Sequence, residues 1–353
     1  MFTSGRMAIA AAVKHMGLGQ GDKMLVPAYH CTSMIDPLLW ASVEPVFYRI
    51  NEDLSVDLDD IRRKCDGQTK CILVAHYFGF YQDIERIRKF CDEEGLLLLE
   101  DCAHAFFGEY AGRPVGSIGD YAIASPIKFF PIYDGGCLVS SSRDLSAIKQ
   151  VKAGVGFQAR AAFNPLEKAV RYGRLQPLNP LFRFGFASLN AIWKVIKSIG
   201  QSDSGGAPPD AVNGGYGFDP RWVNVGMSGV SHILMNQIST ERIIQRRREN
   251  FAKLAESFKE IPGCKVLFDA VDQSVVPYVF PLVIEDHKRV FYELKMQGVP
   301  IYRWEELRGG GCEVSSRYSK KLLQFPCHQE LTKSEVDWMI KKTVCALSKG
   351  RES

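Results

Sequence analysis

The chain lacks paired cysteines. Ten cysteines are spread over 353 residues, and none stand in a C-x-x-C arrangement. That argues against zinc ligation and thioredoxin-type redox chemistry. Several lie in apolar runs such as KCILV and GGCLV, where a thiol behaves as a small hydrophobe; a reducing cytoplasm suits them. Net charge is also scarce. The 44 Lys and Arg nearly balance 40 Asp and Glu, and the +4 that remains leaves no electrostatic footprint for nucleic acid. Long apolar runs are missing too. The longest stretch without Asp, Glu, Lys or Arg, Trp222 to Thr240, holds Asn224, Ser228, Ser231, His232, Asn236 and Gln237, so it is not a membrane span. No internal repeat or low-complexity tract occurs. The composition, 46% apolar and 24% charged, is that of a soluble globular protein of about two domains.

What is present is an alternation. Arg6 to Met16 reads as a helix closed by GLGQGD. Its MAIAAAV run could pass for a signal peptide, but it is short and leads through a Gly-rich turn into MLVPA. A helix opening an α/β domain is the better reading. Short strand-like runs follow at MLVPA, PVFYRI, KCILVAH, LLLLE, YAIAS and CLVSS, with helical patterns at Leu58 to Cys65 and Asp83 to Glu94. They rarely alternate apolar with polar, which is the pattern of strands buried on both faces of a parallel sheet. The expected fold is α/β: a large domain with a mostly parallel, doubly wound sheet over residues 1–238, and a smaller C-terminal α+β domain over 239–353. Within the latter, a long helix is expected from Ile233 to Lys259, a strand in VVPYVFPLVI, and helices in HKRVFYELKMQG and SEVDWMIKKTVCAL. Residues 157–222 read as an insertion. In it Phe182, Phe186, Leu189, Trp193 and Ile196 recur at helical spacing between Arg183, Asn190, Lys194 and Lys197. Packing against the protein or a partner is the plainer use of that face. Weak contact of the 180–200 segment with an acidic membrane surface is the sharper one.

Three segments carry chemistry. In LLLLEDCAHA, Asp101 falls just past a buried strand, where open α/β sheets place ligand-binding groups; a helix cap is the alternative. In ASPIKFFPI, Lys128 stands among apolar residues, where desolvation lowers an amine's pKa; a snorkelling lysine is the alternative. Thr3-Ser4-Gly5-Arg6 opens the first helix, and such a turn leaves N–H groups free for an anion unless Ser4 simply caps it. An anion cradle, a carboxylate and an amine in that order meet the needs of pyridoxal 5'-phosphate: a hold for its aldehyde, a partner for its ring nitrogen, a seat for its phosphate. No metal-ligand spacing accompanies them.

Seven segments then make the chain resemble the DegT/StrS family of sugar aminotransferases, enzymes of fold type I that use pyridoxal phosphate. They are GLGQGDKMLVPAYHCTS, PVFYRIN, TKCILVAHYFGFYQDIERI, LLLLEDCAHAFFGEYAGRPVGSIGDYA, KFFPIYDGGCLVSS, VNVGMSGVSHILMNQI and QFPCHQELTKSEVDWMI. The resemblance implies that Lys128 holds the cofactor as a Schiff base and moves protons, and that Asp101 pairs with the ring nitrogen. It places His104 against the ring's phenolic oxygen, where relatives have glutamine. Ser125, Gly5 and Arg6 fall at phosphate positions, and Asn224 at that of an asparagine reaching in from a second subunit, so a homodimer with a shared active site is implied. The implied reaction moves an amino group, from glutamate, to a nucleotide-linked keto-sugar in cytoplasmic polysaccharide biosynthesis. A non-catalytic family member with a regulatory role and a sugar dehydratase are the alternatives, the latter disfavoured by Lys128.

The departures are specific. Lys128 follows Ser125 by three residues rather than five, Arg6 replaces a threonine, Gly226 an arginine, and Cys31 the aromatic that stacks on the ring. Tyr29 or His30 then becomes a candidate for that stacking role. The chain also starts just before the phosphate helix. Among smaller features, His76 and His328 read as structural, Arg246-Arg247-Arg248 as a solvated helix face with one inward ion pair, and Arg303, Trp304 and Glu305 as the approach of the small domain to the site.

Overall fold

The structure is a computed structural model that describes residues 1–174, 217–304 and 307–349. The Ala-rich α1 (Gly5–His15) is buried at every position from Met7 to Val13. β1 (Lys23–Pro27) leads through α2 (Thr32–Trp40) to β2 (Glu44–Tyr48), and α3 (Leu58–Lys64) leads to β3 (Thr69–Ala75). α4 (Ile84–Glu94) shows why local signals were legible. Asp83 caps its start by accepting the Arg86 N–H, and Gly95, at φ +67°, ends it in a conformation that costs glycine little. β4 (Leu97–Asp101) follows, then a small hairpin of β5 (Glu109–Tyr110) and β6 (Arg113–Pro114), then β7 (Tyr121–Ala124) and β8 (Cys137–Val139).

These strands form a sheet in the order β2-β1-β3-β4-β7-β8. All neighbours are parallel except β7 and β8. The apolar runs sit in the middle: Leu25, Ile72, Leu73, Leu98 and Leu99 are fully buried. Chain order reverses between β1 and β3, the switch point at which such sheets bind ligands in a crevice at the carboxyl ends of their strands. The segment before α1 is pinned to the far edge. Phe2 and Gly136 exchange backbone hydrogen bonds at 2.6 and 2.8 Å. A Cβ on Gly136 would lie 2.0 Å from the Ser4 carbonyl oxygen, so only glycine permits this approach. The pinning sets the start of α1 beside the loop after β7.

Beyond the sheet, α5 (Val155–Arg171) occupies the start of the expected insertion. The rest of that segment, 175–216, with its amphipathic stretch and its membrane-surface reading, lies outside the described residues, as does Glu305. The single helix expected from Ile233 to Lys259 is two helices. α6 (Gly229–Gln237) stops at Ile238, and Ser239 caps α7 (Thr240–Phe258) by accepting the Arg242 N–H at 3.2 Å. A side-chain oxygen at Ser239 offered the backbone an exit that apolar periodicity does not register. The C-terminal part is an antiparallel sheet, β11-β10-β9, built from β9 (Cys264–Val266), β10 (Val279–Ile284) and β11 (Leu322–Pro326). α8 (His287–Met296), α9 (Glu313–Lys321) and α10 (Lys333–Ser348) complete it. Its own core gathers Phe251, Phe258, Phe280 and Phe325, separate from the core of the large sheet. No helix among the described residues is long and apolar enough to cross a membrane.

Candidate active site

The register of the parallel strands sets Ala75 beside Asp101 and Val74 beside Glu100. At this strand end, side chains of successive residues point to opposite faces, and the two acids part company. Glu100 is buried and fully engaged. It accepts the His76 Nε2–H at 3.0 Å and the Ile118 and Gly119 amides at 2.9 and 2.5 Å. His76 Nδ1 accepts the Gln82 N–H at 3.2 Å, so both ring nitrogens are used and His76 is a structural residue. Cys102 brings a third ligand-type atom within 4.8 Å of this pair. A metal on Nε2 would displace the proton that bonds Glu100, while Nδ1 is already an acceptor. Asp101 faces the crevice. Its Oδ1 accepts the Ala103 N–H at 2.9 Å, and burial pushes its pKa up, opposed by the positive charge of Lys128.

Lys128 arrives from the next strand. After β7 the chain makes a tight turn over Pro126–Lys128, with the Lys128 N–H on the Ser125 carbonyl at 3.1 Å. The Lys128 side chain is half-buried. Burial lowers its pKa, Cys31 and Asp101 pull it back up, and Arg6 lowers it further. The Tyr278 ring lies beneath it, with Nζ 5.3 Å from the centroid. No carboxylate among the described residues forms an ion pair with it. Ser125 in turn meets the start of α1: a Cβ on Gly5 would be 3.5 Å from Ser125 Cβ and 3.7 Å from its Oγ. Ser4 does not cap that helix with its side chain. The structure thus brings Gly5, Arg6, Ser125, Lys128 and Asp101 to one place.

His104 is buried against rings. Its centroid is 4.6 Å from Tyr278, 5.4 Å from Trp304 and 5.7 Å from Phe78. Nδ1 accepts the Phe78 N–H at 3.3 Å, so the neutral ring carries its proton on Nε2. Burial, and then the Lys128 charge, hold its pKa well below the ordinary histidine value. Phe78 makes this bond from a left-handed backbone, φ 58°, and its carbonyl accepts the Tyr278 N–H at 2.8 Å. Such a conformation costs of order 1–3 kcal/mol in a residue with a Cβ and persists where surroundings dictate it.

The three residues after β1 separate cleanly. Tyr29 turns into an aromatic wall with Trp304 at 4.9 Å and Tyr77 at 5.7 Å. His30 turns away from Lys128. Its Nδ1–H donates to the Pro27 carbonyl, its Nε2 accepts the Arg308 N–H, both at 3.0 Å, and its ring stacks on Phe47. Cys31 alone lies within electrostatic reach of Lys128, Asp101 and Arg6 together, and burial raises its thiol pKa. Arg6 donates to the Gly217 carbonyl at 2.9 Å and feels Asp36. Asn224 is exposed at the surface, its carbonyl on the Val151 N–H at 2.8 Å, and the contacts of this protomer do not bring it to Lys128. Gly226 pairs with Phe2, directly ahead of α1.

The ion pair expected in Arg246-Arg247-Arg248 is made by the partly buried Arg246 with Glu249 at 2.7 Å; the inward Arg247 has no acid partner among the described residues, and the face is not simply solvated. All three side chains reach backbone carbonyls: Leu331 for Arg246, Pro277, Tyr278 and Lys128 for Arg247, Val275 and Gln273 for Arg248. Tyr278, Phe78 and Arg247 are site residues that sequence reasoning missed. Tyr278 sits in an apolar run and Arg247 in a basic one, and nothing local distinguishes either.

A mostly parallel sheet with an amine, a carboxylate and an open helix start at its carboxyl edge defines the α/β architecture of fold-type-I transferases. The model of the DegT/DnrJ/EryC1/StrS aminotransferase family matches residues 1–173, just under half of the chain. The chain is 34% identical to the GDP-perosamine synthase of Vibrio cholerae over 143 residues, 40% of this chain and 39% of that protein. It is 28% identical over 172 residues to the dTDP-4-dehydro-2,3,6-trideoxy-D-glucose 4-aminotransferase of Saccharopolyspora spinosa, 48% of this chain and 45% of that one. The matched region therefore spans about two fifths of the curated relatives. In fold, the chain is similar to the aminotransferase TlmJ of Streptoalloteichus hindustanus, with TM-score 0.66, 18% identity, and 99% of this chain and 86% of that one covered. Helicobacter pylori PseC, an aminotransferase, gives TM-score 0.66 at 15% identity with the same coverage.

Proposed function

We propose that the protein is an aminotransferase that uses pyridoxal 5'-phosphate to move an amino group from glutamate to a nucleotide-linked keto-sugar. The observation that carries this is the Lys128 amine, without an ion-pair partner among the described residues, within electrostatic reach of the buried Asp101 carboxylate and near a helix start that the Ser4 side chain does not cap. These groups fit the cofactor. Asp101 is a buried acid short of positive charge, which a protonated ring nitrogen supplies. Gly5, Arg6 and Ser125 offer amide, guanidinium and hydroxyl donors for a phosphate. His104 Nε2–H is a donor for the phenolic oxygen.

When bound, the cofactor supplies an aldehyde that takes up amines and a ring that draws electrons from the neighbouring carbon. The chain's own residues do the rest. A lowered pKa brings a free lone pair on the Lys128 nitrogen within easier reach, for attack and for holding or moving a proton at Nζ. Asp101 keeps a proton on the ring nitrogen by remaining ionised beside it. His104 stays neutral and so adds no positive charge next to Lys128. The Tyr278 ring covers one side of the amine, and Phe78, Trp304 and His104 pack together beside it.

Named relatives act on sugar nucleotides or, in others, on scyllo-inosose compounds with glutamine. A cytoplasmic homodimer, with Asn224 completing the partner's site, and a place in polysaccharide biosynthesis belong to the same reading. Borohydride reduction of protein loaded with pyridoxal phosphate is expected to label Lys128 alone by peptide mapping. The loaded protein should convert cofactor to its amine form with glutamate, or else glutamine, and return it with a keto-sugar nucleotide. Uptake of no cofactor, or a label elsewhere, refutes the reading.

A further inference from the structure

Arg247 is 2% exposed, yet no acid among the described residues pairs with it. Burying a cation without a counter-charge is costly. A fold that needed only packing there would be served by an apolar residue. Its donors go instead to a particular set of acceptors. Nη2 donates to the Lys128 carbonyl at 2.8 Å, and Nη1 to the Tyr278 and Pro277 carbonyls at 2.9 and 3.1 Å. Nε donates to Gln329 Oε1 at 3.1 Å, and Gln329 Nε2 donates to the Phe129 carbonyl at 2.8 Å. The guanidinium lies 4.5 Å from the Phe129 ring centroid.

The acceptors are the two halves of one contact. The Lys128 carbonyl sits at the end of its tight turn, and its direction sets where the side chain leaves the backbone. The Tyr278 ring is the surface on which the Lys128 amine rests, 5.3 Å from the centroid. One planar, forked group grips the backbone of both. It also comes from α7, whereas the lysine follows β7 of the parallel sheet. We propose that Arg247 is a positioning residue for Lys128, holding the amine at the angle needed to condense with an aldehyde. The charge is incidental; the fork is what matters.

The inference rests on the cofactor reading above, and its test separates the two. Full-length protein is titrated with pyridoxal phosphate and with pyridoxamine phosphate. Only the aldehyde can condense with Lys128, with loss of water; the amine form uses the rest of the site alone. Wild-type protein should prefer the aldehyde. Arg247→Lys keeps the charge and loses the fork. It should lose tenfold or more of that preference while its affinity for pyridoxamine phosphate stays within about twofold. Gln329→Ala frees Nε and should shift the preference the same way, by about threefold. It decides the matter if Arg247→Lys does not fold. Equal loss of both affinities, or an unchanged preference in the folded variants, overturns the positioning role. Wild-type protein that binds neither compound overturns the cofactor reading, and the inference with it.

Discussion

Replacing Lys128 by Met should stabilise the cofactor-free protein. The two side chains have similar length and volume, so the exchange opens little cavity. What it removes is an amine beside the Tyr278 ring, without an ion-pair partner among the described residues, drawn by the Asp101 carboxylate and repelled by Arg6. Enclosing a polar group with incomplete compensation costs about 1–3 kcal/mol, and that is the expected gain near pH 7. The sign follows from proton binding. The folded-state pKa lies below the ordinary lysine value of 10.5, so between the two the unfolded chain holds more protons. Wild-type stability therefore climbs with pH through that window. The advantage of the Met variant is greatest below the folded pKa and shrinks as pH approaches 10.5. Saturating pyridoxal phosphate reverses the order, because a ligand at 100 times its Kd adds about 2.7 kcal/mol to the form that binds it. Urea unfolding of both proteins from pH 7 to 9.5, with and without cofactor, measures all of this. A Met variant less stable than wild type at pH 7, or a gap independent of pH, refutes the account of Lys128 as a desolvated, unpaired amine.

Other substitutions separate the site from its scaffold. Asp101→Asn removes the ionised partner of the ring nitrogen; kcat/KM should fall by about 10–150-fold, the loss of one charge-assisted hydrogen bond, while borohydride still traps cofactor on Lys128. An unchanged rate contradicts the role. Glu100→Gln weakens the bonds to His76, Ile118 and Gly119, and should cost about 2–4 kcal/mol in urea unfolding with cofactor affinity of the folded protein unaltered. A selective loss of cofactor binding speaks against a purely structural pair. Burial holds His328 at a pKa of about 4 against 6.5 for a free imidazole. The unfolded chain binds its proton first as pH falls, so about 3 kcal/mol of stability drains away between pH 6.5 and 4. His328→Gln should flatten that part of the stability profile, and an identical acid transition in both proteins counts against it.

The parallel sheet was legible because burial on both faces writes itself into sequence as unbroken apolar runs. LLLLE became β4 and KCILVA most of β3. The helix pattern at Asp83 to Glu94 became α4, which Asp83 caps; the capping box of Thr332 and Glu335 that opens α10 was not read. α2, with Pro37 inside it, was not read as a helix, and α5 was read as insertion. Their stability comes from packing partners that sequence does not name. The break at Ser239 was hidden for the opposite reason, an apolar period that runs across it.

The site divides along the same line. Lys128, Asp101 and Gly5 could be named from residue types and order, because an amine in an apolar run and an acid at a strand end carry their chemistry locally; Ser125 was named only through the family resemblance. Only the folded chain shows that Cys31 lies within electrostatic reach of Lys128 while Tyr29 packs on Trp304 and His30 on Phe47, since three consecutive side chains after a strand diverge according to what they meet. It also turned an Arg in a basic run into a clamp on the lysine's own carbonyl. A hydrogen bond spanning 119 residues leaves no trace in spacing or composition, and only the folded chain brings its two ends together.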